Sequence, residues 1–202
     1  SSCIEIKYDM SVNNTLIGGA IMINIAVLGY GTIGSGVVEV LKTNSESIAK
    51  RAGDQINIKY VLDLREFPGD PIMEKLVHDV NIILDDPEVM IVCEVMGGVE
   101  PAFTFVKAAL LKGKSVVTSN KELVAKHGAE LIDIAKANNL NFLFEASVGG
   151  AIPIIRPLNQ SLTADEIQEI TGILNGTTNF ILSRMGEEGL SFEEALSKAQ
   201  QL

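Results

Sequence analysis

A glycine-rich turn directly after a short apolar run constrains the fold of this chain more than any other stretch. Residues 23–28 read Ile-Asn-Ile-Ala-Val-Leu, and Gly29-Tyr-Gly-Thr-Ile-Gly34 follows at once. The apolar run is typical of a buried strand, and apolar residues then recur at helical spacing, at Ile33, Val37, Val40 and Leu41. The segment therefore predicts a strand, a tight turn and a helix.

Each glycine of this turn has a physical role in a dinucleotide site. Gly29 permits the tight turn, Gly31 lets a pyrophosphate approach the backbone, and Gly34 lets the helix pack closely on the strand. The phosphates would lie over the free N–H groups at the helix N-terminus. We therefore predict that Gly29, Tyr30, Gly31, Thr32, Ile33 and Gly34 bind a dinucleotide cofactor; the alternative is a glycine-rich turn that binds nothing.

Composition excludes several classes of protein. The net charge of −10 argues against nucleic-acid binding, which depends on Lys and Arg at phosphates. No apolar run is long enough to span a bilayer. Two cysteines, Cys3 and Cys93, supply no disulfide framework, and together with the composition they favour a reducing, cytoplasmic setting. We expect a small-molecule substrate and no membrane partner.

Strand and helix patterns alternate along most of the chain, which predicts an α/β Rossmann-type doubly wound parallel sheet over residues 22–148. Predicted strands cover 56–62, 89–95, 115–118 and 141–145. Predicted helices cover 32–51, 72–77, a segment from Pro101 to Gly113, and a segment from the N-cap Asn120 to residue 137.

The two ends of the chain have a different character. Residues 1–21 lack periodicity, and we predict a non-native or disordered leader with Met22 as the native start. Residues 149–202 predict the incomplete start of an α+β catalytic or dimerisation domain. Its predicted elements are helices at 152–158 and 180–185, a strand at 166–174, and a last helix with a Ser191–Glu194 capping box.

Two further segments, one at Glu94–Gly98 and one at Lys121, follow predicted strands at the edge where open α/β sheets bind ligands. Gly97 and Gly98 would let the backbone approach a cofactor ribose, and Glu94 before them could tie down the loop. Lys121 begins a helix, where its charge opposes the helix dipole, and this cost favours a functional role over a solvated surface lysine. Lys121 could polarise a carbonyl or deliver a proton in a hydride-transfer reaction.

Several stretches, in order and spacing, resemble the homoserine dehydrogenase family. They are Gly29-Tyr-Gly-Thr-Ile-Gly34, Glu94-Val-Met-Gly-Gly98, Thr118-Ser-Asn-Lys121, Glu145-Ala-Ser-Val-Gly-Gly-Ala-Ile-Pro153 and Gly172-Ile-Leu-Asn-Gly-Thr-Thr-Asn-Phe-Ile-Leu182. The resemblance implies reduction of aspartate 4-semialdehyde to homoserine with NADH or NADPH, on the route to threonine and methionine. It also implies a homodimer of the full-length enzyme.

The resemblance also implies roles for particular residues. Lys121 would lie beside the nicotinamide and the substrate as a catalytic residue, and Gly176 and Thr177 would be neighbours of the substrate. Hard cations take oxygen ligands, and the resemblance implies a sodium ion held mainly by backbone carbonyls. These carbonyls would come from Glu145, Val148, Gly150 and Ile152.

The choice between NAD and NADP stays open at this point. An acidic residue near the end of the second strand binds the ribose hydroxyls of NAD, whereas an arginine accommodates the 2′-phosphate of NADP. Asp63, which would favour NAD, and Arg65 both lie well beyond the usual spacing of about 20 residues past the glycines. The family resemblance aligns Arg65 with a residue that faces the phosphate. We expect NADP or NAD, with a lean to NADP.

The resemblance implies a further catalytic block downstream of Leu202, with an Asp and a Lys that bind the substrate amine and supply the proton. We therefore expect a fragment that binds the cofactor and catalyses little. Two alternatives remain open. One is another Rossmann dehydrogenase of a small amino acid or aldehyde, and the other is a nucleotide-binding protein without catalysis.

Overall fold

The computed structural model describes residues 22–150, 152–162, 164–172 and 175–201. The leader predicted at 1–21 lies outside the described residues. Six parallel strands form one sheet: β1 Met22–Leu28, β2 Gln55–Leu62, β3 Leu76–Val77, β4 Val89–Glu94, β5 Ser115–Thr118 and β6 Phe142–Leu143. Their order across the sheet is β3-β2-β1-β4-β5-β6, so the chain reverses its direction of travel between β1 and β4. The predicted doubly wound parallel sheet is confirmed.

Eight α-helices accompany the sheet in the described part of the chain. They are α1 Thr32–Thr43, α2 Ser45–Ala52, α3 Val80–Leu84, α4 Ala102–Leu111, α5 Lys121–Ala137, α6 Ile155–Ser161, α7 Gly176–Glu188 and α8 Phe192–Gln200. Two 3-10 turns lie at Pro71–Lys75 and Glu145–Ser147. None of the described helices is long and apolar enough to cross a membrane.

The alternation of side chains along β1 divides the core into two layers. Ala26 and Leu28 belong to a cluster with residues of α3, α4 and α5, whereas Ile25 and Val27 join a second cluster with α1 and the 71–75 turn. Successive residues of a strand point to opposite faces, so both faces of the sheet are covered. The central strands are buried, and only their ends remain available to a ligand.

The predicted single helix over 32–51 is wrong, because Asn44 divides it into α1 and α2. Asparagine competes with helical hydrogen bonding through its own side chain and favours such breaks.

The predicted apolar face of α1 also needs correction. Ile33 and Val40 are each 52% exposed, whereas Val37, Val38 and Leu41 pack on the sheet.

The segment from residue 71 to residue 84 differs from its prediction. The expected helix over 72–77 is a 3-10 turn followed by β3, which pairs with the end of β2. The helix α3 was not predicted; the Asp79 side chain caps it by accepting the N–H of Asn81. Both elements are too short for a periodic pattern to separate them from a loop.

The bounds of the later elements also shift. The predicted strand over 166–174 is wrong over its described part, since residues 166–172 form no strand and no described segment pairs with them. The helix expected at 152–158 begins at Ile155 instead, because proline disfavours helical geometry in the residue before it and Pro153 follows Ile152. The helix expected at 180–185 is longer, extending from Gly176 to Glu188.

Candidate functional site

The glycine turn between β1 and α1 is compatible only with glycine at two of its three positions. Gly29 has φ of +98°, and an added Cβ would lie 3.1 Å from Met96 Cα. A Cβ at Gly34 would lie 1.9 Å from the carbonyl oxygen of Gly29, which is inside any allowed contact distance. The first turn of α1 therefore packs directly against the end of β1.

The N-terminus of α1 is free to accept an anion. Gly31 is its N-cap and supplies no side-chain hydrogen bond, and the first turn contains no acidic residue. An added Cβ at Gly31 would meet no atom within 4 Å, and Thr32 and Ile33 are exposed. Open space in front of uncapped N–H groups and the positive end of the helix dipole suits a pyrophosphate.

A cluster of polar contacts ties this turn to the segment after β2. The backbone N–H of Tyr30 donates to Asp63 Oδ2 over 2.8 Å, and the Tyr30 hydroxyl donates to Asp70 over 3.1 Å. Arg65 forms an ion pair with Asp63 at 2.9 Å and donates to the Tyr30 carbonyl oxygen. These contacts place Arg65 beside the predicted phosphate turn, at the edge where a ribose would lie.

The electrostatics of this cluster favour an ionised Asp63. The Arg65 side chain, together with the backbone N–H groups of Arg65 and Tyr30, holds the pKa of the Asp63 carboxyl well below its ordinary value, despite its partial burial. Burial and the hydrogen bond to Asp70 raise the pKa of Tyr30. At neutral pH the cluster therefore contains a carboxylate, a guanidinium and a neutral phenol.

The ends of β4 and β5 are joined through a buried carboxylate. Glu94 is 0% exposed and accepts hydrogen bonds from the Met96 N–H at 2.8 Å and from Thr118 Oγ1 at 2.5 Å. Asn120 donates to Glu94 and to the carbonyl oxygen of Gly98. The expectation that Glu94 ties down the loop is confirmed, and Thr118 and Asn120 are partners that the sequence did not indicate.

This network places Lys121 at the same edge of the sheet. Asn120 caps α5 by accepting the N–H of Leu123, so Lys121 occupies the first helical position after the cap. Lys121 is exposed, and no described hydrogen bond or ion pair engages its ammonium group. Gly97 lies in the loop after β4, and β4 is the strand between β1 and β5 in the sheet. The two loops flank the reversal point where ligands bind in open α/β sheets.

The loop predicted to hold a cation lies between β6 and α6. The Glu145 side chain is engaged elsewhere, since it accepts the N–H groups of Ile154, Ile155 and Arg156 at the start of α6. The Glu145 carbonyl oxygen accepts the N–H of Val148 and retains a second lone pair. Gly150 and Ile152 are exposed, and the described residues contain no group of three His, Cys, Asp or Glu side chains that could hold a metal ion. Backbone carbonyl oxygens are of the ligand type that a hard cation takes.

The predicted substrate residues Gly176 and Thr177 form the first turn of α7. Asn175 caps this helix by accepting the N–H of Thr178 over 2.9 Å, and both predicted residues are exposed. Within the described residues, no hydrogen bond or ion pair joins either of them to Lys121. The structure thus leaves the two parts of the predicted active site unconnected.

A cleft of about 510 Å³ lies between α1, β2 and the 71–75 turn. Its lining includes the polar residues Tyr30, Ser35, Asp70 and Lys75 and apolar residues such as Ile58. Arg65, Gly97 and Lys121 do not line it. The cleft therefore adjoins the glycine turn at Tyr30 but does not extend to the loops after β4 and β5.

The glycine turn at the reversal point of a parallel sheet, with a free helix N-terminus facing open space, defines a dinucleotide-binding domain of the Rossmann class. Residues 29–145 match the model of the homoserine dehydrogenase NAD-binding domain, and residues 153–202 match the model of the homoserine dehydrogenase family. The chain therefore belongs to the homoserine dehydrogenase family.

Individual relatives agree with this assignment. The chain is 43% identical to the homoserine dehydrogenase of Synechocystis and 44% identical to that of Bacillus subtilis; each match covers 89% of this chain and 42% of the relative. The crystal structure of a homoserine dehydrogenase from Thiobacillus denitrificans superposes with a TM-score of 0.80, at 42% identity, over 89% of this chain and 42% of that one. The chain thus spans less than half the length of these relatives.

A fourth relative was solved with a cofactor. It is a hyperthermophilic archaeal homoserine dehydrogenase mutant in complex with NADPH, with a TM-score of 0.74 and 28% identity, over 89% of this chain and 61% of that one. The NAD-binding domain match and this neighbour support NAD(P) as the cofactor class of the fold.

Proposed function

We propose that this chain supplies the cofactor-binding part of an enzyme that reduces L-aspartate 4-semialdehyde to L-homoserine with NADPH or NADH. The observation that carries the proposal is the free N-terminus of α1 behind Gly31, in a chain that belongs to the homoserine dehydrogenase family. The pyrophosphate lies over the turn from Gly29 to Gly34, against the backbone of Tyr30, Thr32 and Ile33.

Lys121 is the proposed catalytic residue of this part of the enzyme. The bound nicotinamide supplies the hydride that reduces the aldehyde carbon. Lys121 donates a hydrogen bond or a proton to the carbonyl oxygen as its negative charge develops. Its exposed, unpartnered ammonium at the ligand edge supports this role, because no described group has to release it first.

The remaining contacts define the orientation of cofactor and substrate. Gly97 packs against the cofactor ribose, and Arg65 faces the 2′-phosphate of NADP, which gives the lean to NADP. Gly176 and Thr177 contact the substrate near the N-terminus of α7, where the helix dipole favours the substrate carboxylate. A sodium ion bound by the carbonyls of Glu145, Val148, Gly150 and Ile152 fixes the junction between the two parts of the chain.

The proposed organisation separates the chain at residue 148. Residues 22–148 form the cofactor domain, and residues 149–202 belong to a catalytic and dimerisation domain. The family's downstream Asp and Lys complete the active site of a cytoplasmic homodimer. On this proposal the 202-residue chain alone binds nucleotide and turns over little homoserine.

Two measurements test this proposal. The fluorescence of the nicotinamide reports binding of NADPH and NADH to the 202-residue chain, and reduction of NADP⁺ by L-homoserine reports catalysis by the enzyme extended through the downstream block. We expect binding in the first and turnover in the second. Lys121→Ala should abolish turnover and leave the Kd for NADPH within about threefold, since the residue acts on the carbonyl. An extended enzyme with no homoserine-dependent turnover would contradict the proposal.

A matched variant separates a charge effect from a folding effect. Lys126 lies in the same helix, is exposed and has no described partner, so Lys126→Ala removes an equal charge away from the ligand edge. Its turnover should equal that of the wild type. If both lysine variants lose activity equally, Lys121 has no specific role in the reaction.

A further inference from the structure

The cleft beside the glycine turn is a consequence of the way the chain connects β2 to β3. Parallel strands are usually joined by a helix, which covers one face of the sheet. Here the connection contains only the 3-10 turn Pro71–Lys75, which packs on the sheet through the buried Ile72. The space between this turn and α1 stays open as the cleft of about 510 Å³. This volume lies within the range of small-molecule sites in proteins.

Asp70, at one end of the 3-10 turn, brings a carboxylate without a cation to the cleft. Its Oδ1 accepts the Ile72 N–H at 2.9 Å, and its Oδ2 accepts the Tyr30 hydroxyl at 3.1 Å. Both donors are uncharged, and no described Lys, Arg or His pairs with this half-buried carboxylate. Because a carboxylate has about four lone-pair positions, Asp70 retains acceptor capacity for a ligand.

Lys75, at the other end of the turn, brings an ammonium group without an anion. Its Nζ donates to the Ile58 carbonyl oxygen at 2.6 Å and to Asn57 Oδ1 at 3.4 Å. Both acceptors are uncharged, and none of the described carboxylates pairs with Lys75. An ammonium group has three N–H donors, so one donor remains for a ligand.

The charges and the length of the cleft define the class of ligand. Glu39 and Lys42 also line it, so its acidic and basic side chains balance and do not favour a ligand with a net charge. A five-residue 3-10 turn, with a rise of about 2 Å per residue, places Asp70 and Lys75 roughly 10 Å apart. The two charged groups of an α-amino acid are only roughly 3 Å apart, whereas one more residue adds about 3.8 Å. With a hydrogen bond at each end, a dipeptide spans the distance and a single amino acid falls short.

We propose that this cleft is a binding site for a short zwitterion, a dipeptide with aliphatic side chains. Its ammonium group binds Asp70, its carboxylate binds Lys75, and its apolar part lies over Ile58 between α1 and the 3-10 turn. The site is distinct from the cofactor edge, because Arg65 and Lys121 do not line it. The inference therefore does not depend on the proposed dehydrogenase activity.

A purely structural role of the two charges predicts a different outcome. Asp70 caps the 3-10 turn, and Lys75 fastens that turn to β2, so both could serve the fold alone. In that case their removal would change stability but would create no preference between ligands that differ only in one charged group. The proposed site requires such a preference, and each preference must depend on one particular side chain.

The test measures the Kd of L-alanyl-L-leucine for the 202-residue chain by titration calorimetry. Two related probes are its N-acetyl form, which lacks the ammonium group, and its amide, which lacks the carboxylate. Each modification should weaken binding to the wild type roughly tenfold or more, as expected for a lost charge-assisted hydrogen bond. Acetylation should have little effect in Asp70→Asn, and amidation little effect in Lys75→Met, because the matching partner is already absent. Lys50→Met, on the exposed surface of α2 outside the cleft, is the matched control and should leave all three Kd values unchanged.

The comparison of the three probes on the wild type is sufficient on its own if a variant fails to fold. Equal Kd values for the three, or no saturable binding of the dipeptide up to about 10 mM, would overturn the site. Displacement of the dipeptide by NADPH would place it in the cofactor site and would also overturn the inference. A chain that binds the dipeptide but neither NADPH nor NADH would contradict the proposed function and leave this site intact.

Discussion

Glu94 Oε2 accepts a hydrogen bond from Thr118 Oγ1 over 2.5 Å, and both side chains are buried where β4 and β5 end. The other oxygen of Glu94 accepts the Met96 N–H at the start of the loop that contains Gly97. One carboxylate therefore sets the positions of two loops at the ligand edge. A small polar network inside the protein is a strong constraint, because each of its groups is costly to leave unpaired.

Substitution of Glu94 should destabilise the fold in a graded way. Glu94→Ala leaves the Met96 N–H and the Thr118 hydroxyl without their acceptor, and we expect a loss of about 3 kcal/mol in the free energy of unfolding. Glu94→Gln keeps one acceptor and should cost about 1 kcal/mol. Denaturant unfolding measures both values. Glu122→Gln, on the exposed first turn of α5, serves as the control, and an equal loss there would refute a specific role for Glu94.

Gly34 and Gly36 lie two residues apart in α1 and should respond oppositely to alanine. The Cβ of Gly34→Ala would lie 1.9 Å from the Gly29 carbonyl oxygen, so α1 must move away from β1. We expect a loss of about 3 kcal/mol or more in stability, together with loss of NADPH binding. Gly36→Ala meets no atom within 4 Å and should stabilise the helix by about 0.5–1 kcal/mol. Thermal unfolding compares the pair, and equal behaviour would show that the close packing of this turn is not required.

Local signals in the sequence were sufficient for the elements that position the candidate site. The helix α5 begins and ends as predicted, because Asn120 provides a side-chain cap and the apolar spacing is regular to Ala137. The strand β5 matches its predicted bounds for a related reason, since Gly113 and Asn120 delimit a short apolar run. The residues that signal the bounds of both elements lie within or next to them, although β5 is itself held by pairing with β4 and β6.

The features that the sequence did not reveal depend on residues distant in the chain. Asp63 and Arg65 could be identified as alternative ribose selectors, yet their ion pair and the Tyr30 N–H that holds it appear only in the folded structure. The predicted strand over 166–174 is of mixed polarity, with Ile167 and Ile170 three residues apart, and a strand also requires a neighbour for its backbone hydrogen bonds. The residue pattern of one segment does not show whether another strand pairs with it.

The Cys93 thiol should be unreactive in the folded protein. Burial in β4, together with the charge of Glu94, raises its pKa to about 11, so almost no thiolate exists at pH 8. A thiol reagent should label Cys93 of the Cys3→Ser variant far more slowly in buffer than in denaturant at that pH. Because the native pKa is raised, the contribution of this thiol to stability is complete below its ordinary pKa near 9.0 and is lost as the pH rises toward 11. Rapid labelling of the native chain at pH 8 would contradict the structure.

The Glu145 carboxylate should control the order of the junction between β6 and α6. Partial burial of this carboxylate opposes ionisation, but the N–H groups of Ile154, Arg156 and Ile155 outweigh it and lower the pKa of Glu145. Because the pKa is lowered, the ionised Glu145 contributes to the stability of the fold above the ordinary pKa of 4.5. This contribution is lost as the pH falls through the lower pKa of the folded state.

Amide hydrogen exchange, read residue by residue, tests this role of Glu145. Glu145→Ala should accelerate exchange at Ile154, Ile155 and Arg156 at pH 7, because these donors lose their acceptor and α6 loses its cap. In the wild type these three amides should exchange faster, after correction for the intrinsic exchange rate at each pH, only in acid, where Glu145 is protonated. Glu166→Ala, at an exposed site with no described partner, should leave the three amides protected. Unchanged protection in Glu145→Ala would show that the carboxylate does not hold this junction, and the cation proposed for the same loop would then be the remaining constraint on it.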